Sequence, residues 1–325
     1  MKVGIFGTGA YGLALSSVIN DNNIDITMWT KFEDEKDMLE QTRKNDTLLL
    51  GYILPNNIML TTSVEECMKD KDLLIIAIPA AFVDSLCVEM NKYITSSQHI
   101  CIASKGIEQN TGLFIHNIVE KHISTDKVSV ISGPSFAKDM ITKKPIGLAL
   151  ATKNTETREV VEKCLATNYL KLRHTYDVIG TEICGSVKNV IAIASGMLSG
   201  LGANDSTRAM LITEALHDIE EIIESFNGDP DTVLSYAGFG DLLLTCTSEN
   251  SRNFTFGELL GKNNNKEDID NYLKKTTVEG YYTLESIYQL LNGKNVKIPI
   301  ISIIYDIVNN HKNPEGLLTF LVKKA

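Results

Sequence analysis

The chain opens with a glycine pattern that limits its possible folds more than any other feature. Residues Lys2 to Phe6 form a short apolar run typical of a buried β-strand, and Gly7-Thr8-Gly9-Ala10-Tyr11-Gly12 follows it directly. In this G-x-G-x-x-G pattern, Gly7 makes a tight turn, Gly9 lets the backbone approach a pyrophosphate, and Gly12 allows close packing of strand and helix. The pattern predicts a βαβ unit that binds a dinucleotide. The alternative is a glycine-rich turn without a ligand.

The residues after the second predicted strand bear on which dinucleotide binds. A site selective for NAD usually carries Asp or Glu there to bind the ribose 2′-hydroxyl, whereas this chain has Thr30 and Lys31. Because no carboxylate repels a 2′-phosphate at this point and Lys31 supplies a cation, NADP is predicted as the preferred cofactor and NAD as the second. The alternative is that Lys31 is only solvated and that Glu33 or Asp34 binds the ribose.

The chain divides into two parts that differ in the pattern of their apolar residues. In the first half, short β-branched runs alternate with helical stretches, and most runs are apolar without alternation, as in parallel strands covered by helices on both faces. From about Thr181 the apolar residues follow a helical period. We therefore predict an α/β fold with a Rossmann doubly wound parallel sheet over residues 1–178 for the dinucleotide, and an all-helical substrate and catalytic domain over residues 179–325. The predicted strands are Lys2–Phe6, Asp25–Trp29, Leu73–Ile78, His99–Ala103, Val128–Ile131 and Gly147–Ala151, and the predicted helices are Ile183–Leu198, Ala209–Ile223, Val296–Val308 and Leu317–Val322.

Charge and composition exclude several classes of function. Thirty-one basic and 41 acidic residues give the 325-residue chain a net charge of −10, which disfavours binding to nucleic acid or to an anionic membrane. No run of about 20 apolar residues is present, and the early glycines would break a signal-peptide helix, so we expect no stable membrane insertion and a cytoplasmic location. The six cysteines lack metal-binding or disulfide spacing, which predicts reduced thiols and no metal.

Three loops follow predicted strands at the edge of the sheet where ligands bind. They are Pro79–Phe82, Ser104–Gly106 and Ser132–Phe136. Together they offer the Lys105 cation, two hydroxyl groups next to glycine, and backbone N–H groups, a set suited to an oxygen-rich anion. Each loop alone is ordinary turn chemistry. Their shared position at strand ends favours a ligand site.

The helical half carries polar residues where apolar ones are expected. Lys188 and Asn189 interrupt an apolar, small-residue helix, and burial can lower a lysine pKa toward the range useful for proton transfer. The alternative is a lysine that reaches the surface. Asp241 is equally compatible with a helix N-cap and with a catalytic carboxylate. Ser251-Arg252-Asn253 groups hydroxyl, guanidinium and amide, which suits a phosphate, although an isolated loop arginine more often forms a surface ion pair.

The ordered set of motifs resembles one family over nearly the whole chain. The motifs are GTGAYG, GYILP, SKG, SGPSFA, VKNVIAIASG, GFGDLLLTCTS, SRN and TVEG. Each is weak alone, but in this order they resemble the bacterial-type NAD(P)-dependent glycerol-3-phosphate dehydrogenases. The resemblance implies a Rossmann domain with a helical domain, and reduction of dihydroxyacetone phosphate to sn-glycerol 3-phosphate with NADPH or NADH, for phospholipid synthesis. A homodimer is also typical of that family.

The resemblance also implies roles for individual residues. Lys188 would exchange a proton with the substrate C2 oxygen, assisted by Lys105 and Asp241 as the other catalytic residues. The implied substrate site consists of Lys105, Gly133, Ser135, Lys188, Asp241, Ser251, Arg252 and Asn253. The implied cofactor site consists of Gly7, Gly9, Ala10, Tyr11, Gly12, Lys31, Lys105, Ala137, Arg252, Val278 and Glu279.

The chain departs from the family pattern at three positions. Tyr11 stands where Trp is frequent, Ser206 where Asn is common, and Glu214 where many members have Arg. Tyr11 keeps an aromatic face. Glu214 reverses a charge, which puts in doubt a supporting basic role or the electrostatics of a subunit contact at that position.

Two other functions remain open at this stage. Dehydrogenases of hydroxyacids or ketopantoate share the Rossmann-plus-helical plan and also place a lysine on an inner helix, but they do not need Ser251-Arg252-Asn253 for a phosphate. A catalytically idle NADP-binding sensor is the second alternative. It predicts that substitution of Lys188 is tolerated.

Overall fold

The structure, a computed structural model, describes residues 1–108, 112–262, 266–291, 294 and 296–323. The chain divides into two compact units. Unit 1 comprises Met1–Lys105 and Phe114–Val178, and unit 2 comprises Gly106–Leu113 and Ile179–Ala325. The sequence predicts two continuous domains, with Gly106–Leu113 in the first. This segment belongs to unit 2, where a Cβ on Gly112 would lie 3.2 Å from Cγ of Leu290.

Unit 1 is built on one sheet in which β1 lies near the centre. The strand order is β3-β2-β1-β4-β5-β6-β7-β8, and all neighbours are parallel except β6 and β7. The first six strands have the doubly wound order, which reverses between β1 and β4 and places ligands there. The strands are β1 (Lys2–Phe6), β2 (Asp25–Trp29), β3 (Met59–Thr61), β4 (Leu73–Ile76), β5 (His99–Ile102), β6 (Val128–Ser132), β7 (Ile146–Ala151) and β8 (Leu170–Thr175).

The sheet confirms the six predicted strands with small shifts at their ends and adds two. β3 has only three residues, and β8 carries Lys171 and Arg173 between apolar residues. A search for continuous apolar runs misses both, because β8 lies at the sheet edge and alternates in burial. The predicted parallel sheet is confirmed, and it contains one antiparallel pair, β6 and β7.

Helices cover the sheet of unit 1, and their buried faces form its core with the strands. Leu13, Leu15 and Val18 on the first helix pack into the same apolar cluster as Val3 and Ile5 of β1. The helices of unit 1 are α1 (Ala10–Asp21), α2 (Glu33–Thr42), α3 (Val64–Met68), α4 (Val83–Met90), α5 (Ile115–His122), α6 (Ala137–Met140) and α7 (Thr155–Leu165), with a 3-10 turn at Ala80–Phe82.

The described residues of unit 2 form helices joined by turns and loops. Its helices are α8 (Val178–Gly200), α9 (Asp205–Ser225), α10 (Asp241–Cys246), α11 (Arg252–Lys262), α12 (Lys266–Lys275), α13 (Glu279–Leu291), α14 (Pro299–Val308) and α15 (Glu315–Leu321). A 3-10 turn at Pro230–Leu234 and a π-turn at Tyr236–Gly240 precede α10. All four predicted helices are present. The one predicted from Val296 begins at Pro299 instead, where the proline ring suits the first helical turn.

Helix α8 is the core helix of unit 2. By length and composition it could span a membrane, yet 89% of its most apolar window is buried inside the protein. Two glycines let α11 cross it at very short range: a Cβ on Gly196 would lie 1.9 Å from the Phe254 carbonyl oxygen, and one on Gly257 would lie 1.9 Å from that of Ile193. This crossing brings the start of α11 close to the middle of α8.

Candidate active site

The glycine turn after β1 requires glycine at two of its positions. Gly7 has a φ of +122°, and a Cβ there would lie 2.5 Å from the Ala77 carbonyl oxygen. A Cβ on Gly12 would lie 2.1 Å from the carbonyl oxygen of Gly7. Any side chain at either position would therefore push the start of α1 away from β1 and β4.

Gly9 differs from its neighbours because the space beside it is open. A Cβ on Gly9 would meet no atom of the protein within 4 Å, and Gly9 caps α1 without a side-chain hydrogen bond. The first turn of α1, which begins at Ala10, carries no acidic residue. An open backbone at a helix N-terminus that has no side-chain cap fits a pyrophosphate, so these residues suit a dinucleotide.

The loop after β6 lies against the start of α1. The Tyr11 hydroxyl is 3.0 Å from Ser135 Oγ, and Ser135 donates to the Gly133 carbonyl oxygen at 3.1 Å. A Cβ on Gly133 would lie 2.8 Å from the Gly147 carbonyl oxygen. Ala137 begins α6, which packs against α1. The structure thus brings four of the predicted site residues together at one edge of the unit 1 sheet.

The corner after β2 holds one exposed cation beside an acidic helix start. Lys31 is exposed, whereas Thr30 is buried and donates a hydrogen bond to Glu35. Glu33 accepts from Thr62 Oγ1 at 2.9 Å and pairs with Lys36, and the hydrogen bond from Lys36 holds the pKa of the Glu33 carboxyl below its usual range. Glu33 is therefore already engaged within the protein.

Lys105 stands three residues beyond the end of β5 and is half-buried. The preceding residue ties this loop to the neighbouring one, since Ser104 Oγ donates to the Ile78 carbonyl oxygen at 2.5 Å. The Ser104 hydroxyl therefore fixes the loop that carries Lys105.

In unit 2, Lys188 is buried and paired with a carboxylate. Its Nζ donates to Asp241 Oδ1 at 2.6 Å, and the two side chains are only 8% and 2% exposed. The alternative of a lysine that reaches the surface is therefore wrong. The N-cap alternative for Asp241 is also wrong, because Gly240 is the N-cap residue of α10 and Asp241 is its first helical residue. The Asp241 carboxylate accepts from Lys188. A buried ion pair at this distance stabilises the ammonium form of Lys188.

Thr245 completes this cluster and was not among the residues predicted from the sequence. Lys188 Nζ donates to Thr245 Oγ1 at 3.0 Å, while Thr245 Oγ1 donates its own proton to the Asp241 carbonyl oxygen at 2.6 Å. The hydroxyl proton is thus used within α10, and a lone pair is presented to Lys188. The only available signal was that Thr245 lies one helical turn after Asp241, on the same face.

A second polar cluster links three helices beside Lys188. Asn189 donates to Glu279 Oε2 at 3.1 Å and accepts from Asn253 Nδ2 at 3.0 Å. The Gly280 N–H donates to Asn253 Oδ1 at 2.8 Å. Asn189, noted in the sequence but not placed in the predicted site, is therefore the residue that joins the predicted site residues Asn253 and Glu279.

The remaining predicted residues of unit 2 differ in what they offer a ligand. Arg252 has a side chain 56% exposed, with Nη2 4.0 Å from Glu279 Oε1. Ser251 Oγ accepts from the Phe254 N–H at 3.3 Å and so caps α11. Val278 is fully buried.

Two observations in the described part of the chain concern metal ligands and thiols. Within it, no cluster of three or more His, Cys, Asp or Glu side chains could hold a metal ion. All six cysteines are free and buried, in agreement with the prediction of reduced thiols. Burial raises the pKa of Cys101 to about 12, which keeps this thiol protonated.

With this geometry in view, two family models match nearly the whole chain. The model described as NAD-dependent glycerol-3-phosphate dehydrogenase N-terminus matches residues 2–158, and the one described as NAD-dependent glycerol-3-phosphate dehydrogenase C-terminus matches residues 177–319. The chain belongs to the NAD-dependent glycerol-3-phosphate dehydrogenase family, a class of oxidoreductases, which confirms the resemblance seen in its motifs.

Individual relatives agree with this family. The NAD(P)+ glycerol-3-phosphate dehydrogenase of Staphylococcus aureus (strain bovine RF122 / ET3-1) is 34% identical over 312 residues, which cover 94% of this chain and 93% of the relative. The crystal structure of glycerol-3-phosphate dehydrogenase from Coxiella burnetii superposes with a TM-score of 0.92 at 26% identity, covering 99% of both chains.

The alternative oxidoreductase class is more distant. A PanE/ApbA family ketopantoate reductase from Ralstonia eutropha JMP134 superposes with a TM-score of 0.62 at 10% identity, covering 98% of this chain and 100% of the other. At that identity the likeness shows the fold alone.

Proposed function

We propose that this chain interconverts dihydroxyacetone phosphate and sn-glycerol 3-phosphate, with Lys188 as the proton donor and acceptor. The observation that carries this proposal is the buried contact of Lys188 with Asp241 and Thr245. A lysine with two fixed partners has its ammonium held in place before substrate binds, which suits general acid catalysis. Family membership supplies the substrate and the direction of the chemistry.

The mechanism follows from this contact. The dinucleotide, when bound, supplies a hydride to the ketone carbon of the substrate. Lys188 donates a proton to the oxygen that becomes negative, and general acid catalysis of this kind contributes typically about 10²–10⁴-fold to the rate. The loss of that proton leaves the Asp241 carboxylate buried without a cation, which favours return of a proton to Lys188. In the reverse reaction, neutral Lys188 takes the proton of the substrate hydroxyl.

The other predicted site residues are proposed to bind the substrate phosphate and hydroxyl groups. Arg252 is the strongest candidate for the phosphate, because its guanidinium is more than half exposed and can form two parallel hydrogen bonds. Asn253 has one amide hydrogen left after its bond to Asn189. Lys105 adds a second cation, and the backbone of Gly133 with the hydroxyls of Ser135 and Ser251 completes the set.

The cofactor site is proposed to use the glycine turn and α1 for the pyrophosphate, with further contacts from Lys105, Ala137, Arg252, Val278 and Glu279. Both NAD and NADP serve the family, and we propose a preference for NADP through the exposed Lys31. Lys31→Glu is expected to weaken NADPH binding about tenfold more than NADH binding, because the new carboxylate repels a 2′-phosphate. Equal effects on the dissociation constants of both cofactors would remove Lys31 from this role.

We further propose a homodimeric enzyme that acts in the cytoplasm, without stable membrane insertion, and supplies glycerol 3-phosphate for phospholipid synthesis. Burial of the apolar helix α8 within unit 2 supports the absence of a membrane anchor. Light scattering on a size-exclusion column tests the assembly. A mass of twice the 35.9 kDa chain is expected, and a mass of one chain would contradict the dimer.

Substrate specificity tests the proposed reaction. We expect NADPH-dependent reduction of dihydroxyacetone phosphate and no reduction of ketopantoate, which lacks a phosphate for Arg252. A higher rate with ketopantoate than with dihydroxyacetone phosphate would place the chain in the alternative oxidoreductase class.

A further inference from the structure

Tyr11 makes a contact that reaches beyond the dinucleotide turn. It stands in the first turn of α1, yet its hydroxyl is 3.0 Å from Ser135 Oγ in the loop after β6, 124 residues further along the chain. Ser135 is 8% exposed and lies two residues before α6. The contact therefore joins the start of α1 to the loop after β6, two segments that are expected to bind different molecules.

The direction of the hydrogen bond follows from the partners of Ser135. Ser135 donates its only hydroxyl proton to the Gly133 carbonyl oxygen at 3.1 Å. Tyr11 must therefore be the donor in the bond between the two hydroxyls. Ser135 Oγ is held from two sides, by Tyr11 and by Gly133, and the rotation of its side chain is fixed.

We propose that Tyr11 is a positioning residue for the loop Gly133–Ser135 and couples the cofactor site of unit 1 to the binding of substrate. The proposal rests on the function proposed above, in which the dinucleotide binds beside Tyr11 and Gly133 and Ser135 bind substrate. A dinucleotide held against the first turn of α1 restrains Tyr11, and the restrained phenol keeps Ser135 in one orientation. Coupling of this kind is reciprocal, so substrate at Ser135 also strengthens cofactor binding.

A double-mutant cycle tests this coupling in the full-length enzyme. The variants are Tyr11→Phe, Ser135→Ala and the double variant, and Tyr169→Phe is the matched control, since it removes a phenol hydroxyl that donates to Asp21 at 2.8 Å elsewhere in unit 1. The measured quantities are the KM for dihydroxyacetone phosphate at saturating NADPH and the Kd of NADPH from its fluorescence in the absence of substrate. Thermal unfolding checks that every variant is folded.

Tyr11→Phe is expected to raise the KM for dihydroxyacetone phosphate by about three- to tenfold, the usual effect of one hydrogen bond, with the Kd of NADPH within about twofold of the wild-type value. In the Ser135→Ala background the same substitution should have no further effect, because its partner is already absent. Tyr169→Phe should leave the KM unchanged.

Two results would overturn the coupling. One is an equal effect of Tyr11→Phe in both backgrounds, and the other is a weaker binding of NADPH with an unchanged KM for the substrate. In either case the wild-type enzyme still reduces dihydroxyacetone phosphate and the proposed function stands. If the wild-type protein does not reduce that substrate at all, the proposed function fails and the coupling fails with it.

Discussion

The two units carry candidate site residues of different kinds. In unit 1 the turn from Gly7 to Gly12 offers backbone groups, open space and a helix N-terminus. Its chemistry depends on the absence of side chains at the glycines. In unit 2 the cluster of Lys188, Asp241 and Thr245 offers buried side chains with charge and hydrogen bonds. The first arrangement suits recognition of shape, and the second is the one for which we propose proton transfer.

This difference predicts how the two regions respond to substitution. A change in the turn of unit 1 acts through steric fit, so its effect depends on where a new Cβ points. A change in the cluster of unit 2 acts through charge, so it alters rate and stability together. The following substitutions test this contrast.

The largest effect is expected at Lys188. Lys188→Ala should lower kcat by about 10²–10⁴-fold, because the general acid is lost, while the Kd of NADPH stays near the wild-type value. It should also lower the free energy of unfolding by about 3–5 kcal/mol, since Asp241 is left buried without a cation. Lys188→Arg is the matched variant: its guanidinium keeps the charge but does not give up its proton, so kcat falls with a smaller loss of stability. A kcat equal to that of the wild type in Lys188→Ala would contradict the proton-transfer role.

The next effect separates two glycines of one turn. Gly9→Ala should leave the Tm unchanged, because no protein atom lies within 4 Å of the new Cβ, yet raise the Kd of NADPH by at least about tenfold. Gly12→Ala should lower both the Tm and the affinity, because its Cβ would lie 2.1 Å from a carbonyl oxygen. Fluorescence titration and thermal unfolding measure the two quantities. A lower Tm in Gly9→Ala, or an unchanged Tm in Gly12→Ala, would show that the turn does not act through steric fit.

A smaller effect on rate is expected at Thr245. Thr245→Val keeps the shape but removes the hydroxyl that accepts from Lys188, so kcat should fall about tenfold, as for a hydrogen bond to a charged group. The alkaline limb of the pH–rate profile should move to lower pH, because the ammonium has lost one acceptor. Thr247→Val is the control, since its hydroxyl donates to the Leu243 carbonyl oxygen on the outer side of α10. An unshifted profile in Thr245→Val would reduce Thr245 to a packing role.

The smallest effect concerns a second buried carboxylate of unit 2. Asp218 Oδ2 accepts from the backbone N–H of Ile301 at 2.9 Å, and burial raises the pKa of its carboxyl from 3.8 to about 7. Because the folded state binds this proton more tightly than the unfolded state, the stability it contributes is complete below about pH 4 and is lost as the pH rises through about 7.

Asp218→Asn should therefore raise the Tm above that of the wild type by several degrees at about pH 8.5 and change it little at about pH 4, because the amide carries no charge at either pH. Thermal unfolding at the two pH values measures the difference. The same change in Tm at both values would show that Asp218 does not titrate in this range.

The sequence predicted the two regions unequally, for the same physical reason that they differ in structure. The turn of unit 1 is contiguous, and its glycines have local roles, close packing at Gly7 and Gly12 and open space at Gly9, so residues 7–12 could be assigned by position. In the cluster of unit 2, Lys188 lies 53 residues from Asp241 and 57 residues from Thr245 along the chain. Only packing decides that Asp241 holds Lys188 rather than capping α10, and sequence alone left those alternatives equal.

Thr245 and Asn189 are two further residues whose contacts are decided by packing and not by local sequence. Their residue types are common in helices, and their importance comes only from what α8, α10, α11 and α13 bring beside them. Gly106–Leu113 is a further case, because it lies within the sequence of unit 1 but groups with unit 2. Long-range packing of this kind leaves no periodic signal in the sequence.

The initial rate of NADPH oxidation by the wild-type protein, with dihydroxyacetone phosphate and with unphosphorylated dihydroxyacetone as alternative substrates, is the experiment to make first. We predict rapid turnover of the phosphorylated ketone and little of the other, because binding energy from the phosphate positions the carbonyl for reaction. No turnover of the phosphorylated ketone by protein that binds NADPH, or equal rates with both ketones, would contradict the proposed function.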